Sequence, residues 1–182
     1  MAEVRLVRHG HAAAGFSAAA DPGLDDLGRS QAQAMAAVVG PLGPLALVTS
    51  PLLRTRQTAA ALEEVWSTTA TVDDRVAEIP SPTDDLTERG AWLRQAMAGT
   101  WADLGPAYEA WRDRLVDTIL GFDTDTVVVS HFVAINAVVG RAAGDDRVMH
   151  AAIDNCSSTV IDNRGGHITV LELGSMASTE VR

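Results

Sequence analysis

The run Thr126-Val127-Val128-Val129 narrows the fold of this chain more than any other stretch. A strand with one wet face alternates apolar and polar residues. An unbroken apolar run belongs to a strand covered on both faces, the setting of a parallel sheet between helical layers. Residues 3–8, with Val4, Leu6 and Val7 apolar, and the run Leu45 to Val48 read as further strands. Short strands are expected near Thr71-Val72 and from Val76 to Ile79.

Between the strands the pattern is helical. Asp25 and Asp26 open a helix that reaches Val39, with Gly40-Pro41 past its end and Leu27, Ala34, Met35 and Val38 as its expected buried face. Ser50 as N-cap and Pro51 at the first helical position predict a second helix running to about Trp66. Residues 83–121 read as two helices around a Gly99-Thr100-Trp101 break, the second with Leu104, Tyr108, Trp111, Leu115 and Ile119 in one apolar stripe. Phe132 to Val139 is apolar enough to be a buried helix. Ser157 to Ile161 and His167 to Leu173 form a hairpin across Asn163 to Gly166, and the last eight or nine residues are expected to fray. Strands alternating with helices predict an α/β three-layer sandwich with a mostly parallel sheet. The 182 residues fit one domain, and the small helical insert 83–121 is expected near the active site, as a cap.

The balance of charge removes whole classes of partner. A net charge of −10 argues against nucleic acid and anionic membrane, and no apolar run has the length of a membrane span. The N-terminus enters a strand directly, without the layout of a signal peptide, and the single cysteine, Cys156, suits a reducing compartment. A cytoplasmic protein is the expectation. All fourteen basic residues are arginine, so only position can single one out.

Three strand ends carry unusual polar residues: Arg8-His9-Gly10, Ser50-Pro51 with Arg54 one turn beyond, and Ser130-His131. In a parallel sheet these ends share one edge, where such folds place their chemistry. Helical side chains lean toward the helix N-terminus, so Arg54 points back at that edge. The helix opening at Phe132 adds backbone N–H groups and a positive dipole end. Two arginines, two histidines and a helix N-terminus suit a phosphate dianion, with Arg8, Arg54, His131 and Phe132 as phosphate-binding candidates. A histidine such as His9 can either take the phosphoryl group covalently or hydrogen-bond to it, Gly10 allows close approach of the backbone, and His11 is expected to line the pocket. Glu78 is the candidate acid, since a bound phosphate dianion raises the pKa of a neighbouring carboxyl; Asp84, Asp85 and Glu88 are its rivals.

Leu6-Val7-Arg8-His9-Gly10-His11 resembles the signature of the histidine phosphatase superfamily, the phosphoglycerate-mutase-like fold. Leu24 to Ala32, Thr49 to Ala59 and Val128 to His131 resemble its later motifs in order, so the likeness covers about residues 4–140. The resemblance implies that His9 forms a phosphohistidine, that Arg8, Arg54 and His131 bind the phosphoryl oxygens, that Glu78 donates the proton, and that no metal or other cofactor is needed. Two positions depart from the family pattern: Phe132 stands where glycine is common, and His11 where Glu, Gln or Asn is.

The leading expectation is therefore a phosphomonoester hydrolase acting on a small phosphorylated substrate. A phosphoglycerate mutase and a non-catalytic phospho-ligand binding module are the alternatives, separable by turnover on 3-phosphoglycerate and by binding without turnover. Neither the substrate nor the oligomeric state is legible.

Overall fold

The structure, a computed structural model, describes residues 2–176. The elements in chain order are β1 (Glu3–Arg8), α1 (Asp26–Val39), β2 (Ala46–Thr49), α2 (Leu53–Trp66), β3 (Thr71–Val72), α3 (Leu86–Ala98), α4 (Trp101–Leu104), α5 (Pro106–Leu120), β4 (Thr126–Ser130), α6 (Phe132–Ala143), β5 (Ser158–Asp162) and β6 (Thr169–Glu172). One sheet has the order β3-β2-β4-β1-β5-β6. Its first four strands are parallel, and β5 and β6 are antiparallel additions at one side.

Both faces of the sheet are covered, as the apolar run predicted. Every residue of β4 is buried. Val127 and Val129 join Val7, Met35 and Leu62 in the core toward α1 and α2, while Val128 joins Leu6, Leu115 and Ile135 in the core toward α5 and α6. Strand pleating alone separates the two cores, because successive side chains point to opposite faces.

Four local expectations are corrected. The buried side of α1 is Gly28, Ala32, Met35, Ala36 and Val39, while Leu27 and Val38 are exposed. The helix is turned by about one residue, roughly 100°, because small side chains let it approach closely: a Cβ on Gly28 would strike the His11 backbone. Ser50-Pro51 does not start α2, whose N-cap is Leu52; the Ser50 hydroxyl accepts the Leu52 N–H, and Asp21 accepts that of Leu53. Val76 to Ile79 is not a strand but the end of a 3-10 turn and an irregular segment, anchored by buried Val76 and Ile79. The 83–121 region holds a third, short helix, α4, which Thr100 and Asp103 cap reciprocally.

The hairpin of β5 and β6 forms as expected. At the C-terminal end, Ser175 accepts the Asp154 N–H and Met176 bridges to Ile153; the rest of the expected frayed end, residues 177–182, lies outside the described residues. Among those described, no helix is long and apolar enough to cross a membrane.

Candidate active site

Register brings the strand ends together. Arg8 sits beside Ser130, and Val129 beside Thr49. The ladder continues one residue further, with the His9 N–H donating to the Ser130 carbonyl and the Ser50 N–H to the Val129 carbonyl. His9, Ser50 and His131 are therefore neighbours by topology, and Arg54, in the first turn of α2, reaches back among them.

The Arg54 fork lies between the two imidazoles. Its Nε donates to His9 Nε2 at 3.2 Å and its Nη2 to His131 Nδ1 at 3.2 Å, while its Nη1 is 3.8 Å from Asp21. His9 Nδ1–H donates to the Gly10 carbonyl at 2.8 Å, and His131 Nε2–H donates to Ser50 Oγ at 2.7 Å. These partners determine the tautomers, each ring turning a lone pair toward Arg54. Burial above all, and then the Arg54 charge, push both histidines well below the ordinary imidazole range. Both rings are thus neutral at neutral pH, and a neutral His9 has a nucleophilic Nε2.

Arg8 lies on the Phe132 ring, 5.0 Å from its centroid, and donates from Nη1 to the Ile153 carbonyl at 2.7 Å. Its buried Nε has no hydrogen-bond partner among the described residues, an uncommon state for a buried donor. Glu78 sits across the cavity. Its Oε1 accepts the N–H groups of Ile79 and Ala134, and its Oε2 that of Val133. The N-terminal amides of α6, expected to hold phosphate, thus hold the carboxyl that faces it. Burial raises the Glu78 pKa, opposed by those amides and by Arg54, a cause separate from the bound phosphate expected from sequence.

A cavity of about 80 Å³ opens between these groups, walled by Arg8, His9, Arg54, Glu78, Phe132 and parts of the 12–22 loop and α3. Three sequence candidates are not on its wall. His131 is fully buried behind Arg54. His11, expected in the pocket, faces outward and holds Asp25, the N-cap of α1, at 2.7 Å. Gly10 is required small by α1, since a Cβ there would stand 2.5 Å from the Gly28 carbonyl oxygen. No tryptophan of the described residues lines the cavity: Trp101 packs against Trp111 and Trp92 against Tyr108. Among the described residues, no group of three or more His, Cys, Asp or Glu side chains could hold a metal ion.

Sequence reading missed Asn155. Its Nδ2 donates to the His9 carbonyl at 2.8 Å, while the neighbouring Cys156 N–H donates to the Arg8 carbonyl at 2.9 Å. In sequence Asp154-Asn155-Cys156 is an ordinary turn; only the pairing of β5 with β1 sets it against the backbone of Arg8 and His9. Asn155→Asp keeps the shape and removes both donors, so kcat is expected to fall about tenfold to a hundredfold through misplacement of His9, with KM changing less in steady-state assays.

Comparison with known proteins agrees with this geometry. The profile of the histidine phosphatase superfamily (branch 1) matches residues 4–175. A probable phosphoglycerate mutase, GpmB, of Yersinia pestis is 28% identical over 187 residues, covering 89% of this chain and 85% of that one. Among solved structures, Bacillus stearothermophilus YhfR superposes with a TM-score of 0.80 at 16% identity, covering 97% of this chain and 98% of its own. A mutant phosphoserine phosphatase of Entamoeba histolytica in complex with phosphoserine superposes with 0.76 at 19% identity, covering 96% and 98%. These structures share the α/β fold, with its mostly parallel sheet. From Val4 to Ser175, then, the chain belongs to branch 1 of the histidine phosphatase superfamily.

Proposed function

We propose that this chain hydrolyses phosphomonoesters in two steps. Arg8 and Arg54 bind the phosphoryl oxygens; as the Arg54 fork turns onto them its Nε leaves His9 Nε2, while His131 stays behind the fork on Ser50, its ring centroid 5.2 Å from that of His9. The Nε2 lone pair forms a bond to phosphorus, the ester P–O bond breaks, and the leaving oxygen takes the Glu78 proton. Glu78, now a carboxylate, accepts a proton from water as the water oxygen attacks phosphorus. The N–P bond then breaks, its electron pair returns to Nε2, and phosphate leaves.

The observation that carries this reading is the pairing of His9, its Nε2 directed at Arg54, with a half-buried Glu78 on the same cavity wall. A phosphohistidine is alkali-stable and acid-labile, so a rapid alkaline quench with labelled aryl phosphate is expected to leave label on the protein at His9. Absence of label despite turnover would rule out the two-step route. The mutase reading has one specific support, the relative named probable phosphoglycerate mutase; comparing isomerisation with phosphate release on 3-phosphoglycerate decides between them.

Glu78→Gln separates the two steps of proton transfer. In kcat/KM, which reports the transfer to His9, alkyl esters, whose leaving alkoxide must be protonated, are expected to lose about 10²–10⁴, and aryl esters far less. The sign of the pH effect follows from the raised Glu78 pKa: alkyl ester turnover falls as pH rises through it, and Glu78→Gln lacks that alkaline limb.

A further inference from the structure

All four charged or imidazole side chains on the cavity wall, Arg8, His9, Arg54 and Glu78, are used by the phosphoryl group and its proton. The rest of the wall has no polar side chain. Phe16 comes from the 9–24 loop, Leu93 and Met97 from α3, Phe132 and Val133 from α6, and the remaining positions are alanine, glycine and proline. The loop and α3 are closely fitted, since a Cβ on Gly90 would stand 2.6 Å from the Ser17 side chain. One further cation lies nearby: the Arg89 guanidinium covers Phe16 at 4.3 Å from the ring centroid. Phe16 lines the cavity and Arg89 does not, so the ligand meets the ring, while the cation adds to the positive field that draws a dianion.

A substrate hydroxyl or carboxylate held against this wall loses its water and gains no partner, which costs on the order of tenfold in affinity for each hydroxyl. Methylene or aryl groups gain by leaving water. We propose that the site selects phosphomonoesters of unhydroxylated alkyl or aryl alcohols over those of sugars and hydroxy acids, and that Phe16, Leu93, Met97 and Phe132 are the specificity-determining residues. This rests on the phosphatase reading above. The unbranched flexible thioether of Met97 adapts the wall to differing apolar groups.

The test uses the full chain turning over an aryl phosphate, with n-propyl phosphate and glycerol 3-phosphate as competitors. The two have the same carbon chain and differ in two hydroxyls. Propyl phosphate is expected to inhibit at a concentration about a hundredfold below that of glycerol 3-phosphate, about tenfold for each of the two hydroxyls. Equal potency, failure of both to compete at millimolar concentration, or preference for glycerol 3-phosphate overturns the inference while leaving the hydrolase reading intact. Absence of aryl phosphate turnover overturns the hydrolase reading and this inference with it. Met97→Gln keeps side-chain length and high helix propensity but adds an amide; it is expected to narrow the ratio by roughly threefold or more. A ratio unmoved by Met97→Gln overturns the assignment to this wall.

Discussion

His9→Ala is expected to reduce phosphate release from an aryl phosphate by on the order of 10⁴–10⁶, the range seen when a covalent nucleophile is removed. The size follows from the surroundings of the ring. His9 is buried and neutral, its Nδ1–H is held by the Gly10 carbonyl, and its Nε2 faces Arg54. No other imidazole on the cavity wall can replace it, since His131 is behind Arg54 and His11 faces outward. The substitution leaves Arg8 and Arg54 in place, so binding of inorganic phosphate is expected to persist. The melting temperature is expected to stay within a few degrees, because truncation removes a desolvated ring at a cavity edge and no part of either core. The measurements are phosphate release, phosphate binding by calorimetry and thermal unfolding. Turnover above about a hundredth of the original, with the fold intact, contradicts the mechanism.

Arg54→Ala is expected to change both the rate and its pH dependence. Loss of a buried fork that serves the phosphoryl group directly costs about 10²–10³ in kcat/KM. The same charge also depresses His9, second only to burial. Without it the His9 pKa rises toward the ordinary value of about 6.5. His9 must be neutral to attack, so its protonation sets the acid limb, and that limb moves to higher pH in Arg54→Ala. Arg54→Lys restores a charge without the two-pronged geometry; it is expected to return the limb toward its original position while recovering only part of the rate. A pH profile of kcat/KM for the three proteins checks this. If the acid limb is the same in all three, His9 is not the group that titrates.

The signals for sheet and site were local. A residue that ends a strand is legible because hydropathy changes abruptly there, and parallel strands then bring Arg8-His9, Ser50 and Ser130-His131 to one edge without further information. Arg54 followed from helix geometry. Errors arose where an apolar or polar residue had more than one possible partner. In α1, Leu27 and Val38 carry more apolar surface than Gly28 and Ala36, yet the smaller residues face inward: Gly28 permits contact with the His11 backbone, and Ala36 packs in the core with Val7 and Leu62. Ser50 reads as an N-cap and serves instead as the acceptor for His131. Glu78 was identifiable as a carboxyl in the right segment, but not as the partner of the α6 amides.

By itself, the sequence determined an α/β sandwich and which residues gather at its strand ends, because strand burial and strand termini are written in consecutive residues. The tertiary structure alone decided which face of α1 is buried, that Asn155 holds the His9 carbonyl, and that the wall above Arg8, His9, Arg54 and Glu78 is apolar. Each of these depends on segments tens of residues apart being brought within hydrogen-bond or van der Waals distance, and no local pattern in the chain encodes such a distance.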